Sequence, residues 1–152
     1  MSTPAERLKE LGLELPTVPV PAGAYVPAVR TGSYVYTAGQ LPFVDGVLPA
    51  TGKVGAEVGL EAARDLARIC ALNAIAALQA EVGDAYLGAR IIKVVGFVAS
   101  APDFTQQPAV INGASELIGE VFGEAGKHAR SAVGVAVLPF DAPVEVELIA
   151  EI

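Results

Sequence analysis

The order of patterned segments predicts an α+β domain, a single mixed sheet with two helices on one face. Three observations carry that expectation. Alternating β-rich runs occur as a pair near residues 25–39 and again near 128–152, with one apolar run between them at 90–99. Two stretches with helical spacing, 57–82 and 110–122, separate those runs. No repeat, low-complexity segment or shift in composition divides the 152 residues, so one core is expected to serve all of 1–152.

The elements follow in order. Residues 3–12 read as a short helix: Thr3 can cap it, Pro4 suits its first position, Glu6 completes a capping box and Gly12 can stop it. With the stretch 15–23, whose prolines at 16, 19 and 21 enforce extended backbone, it forms an N-terminal extension over about 1–20. Residues 25–30 and 34–39 flank Thr31-Gly32-Ser33 and read as a hairpin. In 57–82, Leu60, Ala63, Ala67, Cys70, Ala74 and Leu78 recur on one side, while Glu61, Arg64, Asp65 and Arg68 lie on the other. Residues 90–99, almost all apolar, read as a central strand. Val110, Ala114, Leu117 and Val121 edge the second helix.

The terminal run 128–152 reads as two strands joined by a short turn bounded by prolines. Alternation puts Ser131, Val133, Val135 and Val137 on the core face, and Arg130, Ala132, Gly134 and Ala136 on the other. On the last strand Val144, Val146, Leu148 and Ala150 face the core, while Glu145 and Glu147 share the face of Arg130. A pairing of Leu138 with Pro143 sets Glu145 opposite Ala136 and Glu147 opposite Gly134. Arg130 then stands about 20 Å from Glu145, at ~3.4 Å per residue. A guanidinium is a forked donor suited to a carboxylate, so a small acid is the expected ligand. If Arg130 and Glu145 serve one molecule, the site lies between subunits.

Composition limits the alternatives. A net charge of −7 without a basic cluster argues against nucleic acid or an anionic membrane as partner. The single cysteine, Cys70, excludes an internal disulfide, and no cluster of potential ligands suggests a metal or other cofactor. The charged N-terminus lacks the apolar core of a signal peptide and no apolar run reaches a membrane span, so a cytoplasmic protein is expected. At 53% hydrophobic residues, the chain favours a buried subunit interface.

Several segments together resemble the RidA/YjgF/YER057c/UK114 family, and more closely its longer subgroup with an added N-terminal helix. They are AGAYVPAV (22–29), YTAGQLPF (36–43), LARICALNAIAAL (66–78), IIKVVGFVASAPDF (91–104) and ARSAVGVAVLPFDAPVEVELIA (129–150), covering roughly Pro21 to the end. The resemblance implies a chorismate-mutase-like fold with a six-stranded sheet and two helices on one face. It also implies a homotrimer with three clefts between subunits. Archetypal members hydrolyse reactive 2-imino and 2-enamino acids to 2-keto acids and ammonia.

The resemblance places Arg130 at the family's carboxylate-binding arginine and Glu145 at its water-positioning acid. Tyr25 falls at the tyrosine of a GPY-like motif, here Gly23-Ala24-Tyr25, and Gly39 at the glycine of an SGQ-like turn, here Ala38-Gly39-Gln40. Asn112 matches an asparagine opening the second helix. Ala132 stands where the family often has cysteine, so only a backbone contact survives there, and the 103–112 interval is longer than in archetypal members. Arg130, Glu145 and Tyr25 are thus the expected catalytic residues, and Gly39, Asn112 and Ala132 the expected substrate-binding ones. A second reading shares the anchor and the cleft but does no chemistry: a trimeric binding protein for small 2-keto or carboxylic acids. Four other residues have plainer readings, Glu147 and His128 as solvated or structural, Asn73 as a satisfied core amide, and Cys70 as a small hydrophobe.

Overall fold

The computed structural model describes residues 2–19, 21 and 23–152, so Val20 and Ala22, in the expected connector and the first family-like segment, lie outside it. Helix α1 spans Pro4–Glu10 and begins as the sequence dictates. The Thr3 N–H donates to Glu6 Oε2 at 2.8 Å and the Glu6 N–H donates to Thr3 Oγ1 at 3.2 Å, a complete capping box. Gly12, at φ +72°, takes the left-handed conformation that stops it.

Helix α2 spans Leu60–Val82 and α3 spans Gln107–Phe122. The first starts three residues later than its periodicity suggests. Residues 53–58 are diverted into a turn, and Val54 bonds the end of the central strand through Ala99 and Ala101. The second starts three residues earlier, with Pro108 in its first turn, where a missing N–H costs nothing. The two helices cross closely at Gly113, where a Cβ would strike the backbone carbonyl of Arg64. Ion pairs Arg64–Glu116 and Arg68–Glu120 flank the crossing. By length and composition α2 and its extension to Gly88 could cross a membrane, but here that stretch is the half-buried core helix.

The strands are β1 (Ala28–Thr31), β2 (Tyr34–Thr37), β3 (Arg90–Ala99), β4 (Ala129–Val135) and β5 (Val144–Glu151), arranged β1-β2-β5-β3-β4. The hairpin β1–β2 and the central position of β3 agree with the sequence. The sheet has five strands, not the six implied by family resemblance. After Thr37 the chain bulges at Ala38-Gly39 and touches β5 again only at Gln40, bridged to Val146. The Thr37 hydroxyl accepts the Leu148 N–H at 3.0 Å and fills that gap in the ladder.

Two expectations about the terminal strands are overturned. They do not pair: β3 lies between them, parallel to β4 and antiparallel to β5. Glu145 therefore sits opposite Phe97 rather than Ala136, and Glu147 opposite Val95 rather than Gly134. The intervening Pro139–Asp141 turn holds Phe140 and Asp141 at φ +59° and +56°, and carries the chain past the end of β3 instead of closing a hairpin.

The faces of β4 are also reversed. Arg130, Ala132 and Gly134 lie beside Val94, Gly96 and Val98, which face the helices. Small residues are required there, because Ile111 fills the space of the missing Gly96 Cβ and the Gln107 amide lies 2.8 Å from where a Gly134 Cβ would be. Val133 and Val137 turn outward instead, 44% and 68% exposed. Proximity of α3 outweighs the usual preference for burying valine.

Candidate functional site

Arg130 reaches from β4 toward α3. Its Nη1 donates to Asn112 Oδ1 at 2.7 Å and to Ser115 Oγ at 3.2 Å, and Nη2 donates weakly to the Pro108 carbonyl at 3.4 Å. A guanidinium has five N–H donors, so the Nε–H and one Nη2–H are left over, enough for a forked bond to a carboxylate. Among the described residues no Asp or Glu pairs with Arg130. An open depression beside it is lined by Arg7, Ser115, Gly119, Glu124, Lys127 and His128, with Glu124 paired to Lys127. Asn112 sits inside α3 and not at its opening, because the helix begins at Gln107.

Glu145 projects from the other face of the sheet. It is half-buried and makes no side-chain hydrogen bond or ion pair among the described residues. Burial raises its pKa, and the charge of Glu147 adds to the rise. Gly39 lies directly against it, since a Cβ on Gly39 would stand 2.6 Å from Glu145 Oε2. Only a glycine lets the bulge approach the carboxylate so closely. Behind them, burial pushes the Cys70 thiol up, with Glu145 contributing, so Cys70 is an inert core residue. Asn73 is a satisfied amide, donating to the Leu41 and Phe43 carbonyls.

The fold thus brings the expected site residues together in two pairs, Arg130 with Asn112 and Glu145 with Gly39. It does not join the pairs within one chain. Arg130 is aligned with Leu148 across β3, three residues from Glu145 along β5, and two strand spacings separate β4 from β5. The resulting in-plane separation is roughly 14 Å, at ~3.4 Å per residue and ~4.8 Å per strand. The two side chains also leave the sheet on opposite faces, correcting the expectation of a shared one. Tyr25 precedes β1 at the far edge of the sheet from β4 and is 59% exposed. Ala132 packs against the core below α3, so its backbone is what it can offer a ligand. Sequence reasoning overlooked Ser115 and discounted His128, both of which stand in the network around Arg130. The i, i+3 spacing of Asn112 and Ser115, on a different side of the helix from Glu116 and Glu120, was the available signal.

A five-stranded mixed sheet backed by two long helices is the architecture of the YjgF/chorismate-mutase-like class of α+β protein. Residues 5–152 match the family described as "YjgF/chorismate_mutase-like, putative endoribonuclease", and the chain belongs to that family. It is similar to protein TCP17 of Trypanosoma cruzi, 45% identical over 97% of this chain and 93% of that one. It is also similar to the 2-iminobutanoate/2-iminopropanoate deaminase of Escherichia coli, 37% identical over 87% of this chain and 90% of that one. Among solved structures, Atu1372 from Agrobacterium tumefaciens, a protein of unknown function, superposes with a TM-score of 0.89 at 49% identity, covering 96% and 90% of the two chains. Escherichia coli TdcF with bound serine gives 0.61 at 32% identity, covering 89% and 93%.

Proposed function

We propose that this protein hydrolyses small 2-imino or 2-enamino acids to 2-keto acids and ammonia, in clefts between the subunits of a homotrimer. The observation that carries the reading is Arg130: a part-buried guanidinium held by neutral acceptors, with donors to spare and no acidic partner among the described residues. Such a charge in a chain of net charge −7 is suited to an external carboxylate. In the reaction, water adds to the C=N carbon, a proton passes to nitrogen, the C–N bond breaks and ammonia leaves as the C=O forms. The imine is intrinsically reactive, so orientation and proton transfer are sufficient catalysis. Arg130 grips the carboxylate, and Glu145 of a neighbouring copy, poised by its raised pKa, takes a proton from the water. Tyr25 and the Gly39 backbone line the cleft. Separation of the half-sites on opposite sheet faces supports a site built from two copies. The deaminase relative supports the chemistry, and the serine bound to TdcF supports a small amino-acid-like ligand. Net charge −7 weighs against RNA as substrate.

The test generates 2-aminoacrylate with a dehydratase and follows keto-acid release. Wild type should exceed the uncatalysed rate. Arg130→Ala and Glu145→Gln should each be impaired alone, yet recover part of the activity when unfolded and refolded together, because mixed trimers hold some intact clefts. No recovery on mixing would place both groups outside a shared site.

The alternative, a binding protein for 2-keto or carboxylic acids without chemistry, is supported by the serine held in TdcF, since such binding needs an anchor and no reaction. It predicts thermal stabilisation by pyruvate or 2-oxobutanoate with no turnover.

A further inference from the structure

His128 lies beside Arg130 without touching it, and Ser115 connects the two. The His128 Nδ1 is 2.7 Å from the Gly126 carbonyl oxygen, and Nε2 is 2.9 Å from Ser115 Oγ. A carbonyl oxygen can only accept, so Nδ1 must carry the hydrogen and donate it. On a neutral ring Nε2 is then an acceptor, and the Ser115 hydroxyl must donate to it. With its one hydrogen committed, Ser115 Oγ presents lone pairs to Arg130 Nη1, which donates at 3.2 Å. The direction of every bond from Gly126 to the guanidinium is therefore set by the histidine tautomer.

We infer that His128 and Ser115 are positioning residues that fix the guanidinium of Arg130 for carboxylate binding. The inference rests on the reading of Arg130 as a carboxylate anchor and extends it to a relay that no relative's name assigns. Asn112 and Ser115 together consume both hydrogens of Nη1. That leaves the Nε–H and an Nη2–H as the only donors for a ligand. Without His128, the Ser115 hydroxyl is free to rotate, and the second restraint on the guanidinium plane is weakened. Asn112 on Nη1 and the long contact from Nη2 to the Pro108 carbonyl then remain, a looser hold on the plane. Loss of fork alignment should appear in the affinity for carboxylates, while the proton-transfer step on the other half-site is untouched. The depression lined by these residues is open, so the relay is within reach of a bound acid.

The test measures pyruvate and 2-oxobutanoate affinity by calorimetry, and KM and kcat in the dehydratase-coupled assay, on the full chain. His128→Ala and Ser115→Ala should each weaken binding and raise KM about five- to tenfold, the size expected for one neutral hydrogen bond. Changes in kcat should stay within about twofold. The double variant should lose no more than either single one, because both break the same chain of bonds. Ser115→Thr, which keeps the hydroxyl, should recover most of the affinity, and that recovery separates alignment from a folding defect. Additive losses, a fall in kcat instead of affinity, or no recovery in Ser115→Thr would overturn the relay. If both alanine variants match wild type while Arg130→Ala loses binding, the relay fails and the anchor stands. If Arg130→Ala also binds normally, the anchor reading itself is wrong.

Discussion

Arg130 and Glu145 are both half-buried charges, yet the fold treats them in opposite ways. The guanidinium is tied down by Asn112, Ser115 and Pro108, all neutral acceptors, so its direction is fixed and its charge is left unbalanced. The carboxylate has no such partners among the described residues, and burial raises its affinity for a proton. On the proposed reading, the difference lets one sheet supply two functions. Binding a carboxylate needs a permanent charge held at a fixed angle, which hydrogen bonding provides. Handling a proton needs a group whose charge is reversible in the working range, which partial burial without a counter-charge provides.

The largest effect should come from breaking the fixed side. Arg130→Ala should reduce kcat/KM and keto-acid affinity by at least tenfold, the lower end of a charge-assisted bond worth about 1.5–3 kcal/mol. Arg130→Lys should be nearly as poor, because an ammonium cannot make the two parallel bonds of the fork. A lysine variant with wild-type affinity would show that a point charge is enough and that the anchoring network is only structural.

Glu145→Gln probes the reversible side. Turnover should fall about tenfold or more, in the range of a lost general base, with keto-acid affinity changed less than twofold. In wild type kcat should decline as pH falls through the raised Glu145 pKa, since the ionised form is the base, and the variant should lack that limb. Stability should move the other way. A carboxyl whose folded pKa lies above its unfolded value contributes stability that is complete below the unfolded pKa and is lost as pH rises through the folded one. Glu145→Gln should therefore have a higher Tm than wild type at neutral pH, with the difference vanishing in acid. An equal or lower Tm at neutral pH would mean that the carboxylate is not penalised in the fold.

Gly39→Ala should give the smallest effect. Its backbone is not in the left-handed region, so the added methyl causes no strain, and only the flexible end of Glu145 has to move. A fall in kcat of about two- to fivefold with Tm unchanged is expected, modest because a side-chain shift rather than a lost group is responsible. A loss of keto-acid affinity instead would place Gly39 with the binding half-site.

Much of the fold was legible because it is written in local pattern. Thr3 and Glu6 announce a helix cap, Gly12 a stop, and the alanine-rich stripe of α2 a face buried against a sheet. The last strand was read with its correct faces, because Glu145 and Glu147 alternate with apolar residues and charge is hard to bury. The strand before it was not. Ala132 and Gly134 against Val133 and Val135 look like an exposed row and a core row if hydrophobicity alone decides. Here volume decided, because α3 lies close enough to demand small residues beneath it. The second strand also ends two residues sooner than its composition suggests, at Thr37, because the bulge that brings Gly39 to Glu145 interrupts the ladder.

By itself the sequence determined the α+β class and the element order, because caps, alternation and spacing act over a few residues, while the site residues it offered came from the resemblance and the separation it gave them rested on a pairing of the terminal strands that does not occur. Only the tertiary structure decided which face Arg130 occupies, that β3 lies between the terminal strands, and that His128 reaches the arginine through Ser115. Those outcomes depend on how near one element lies to another, and that distance is fixed by side-chain volume across the core, not by any pattern along the chain.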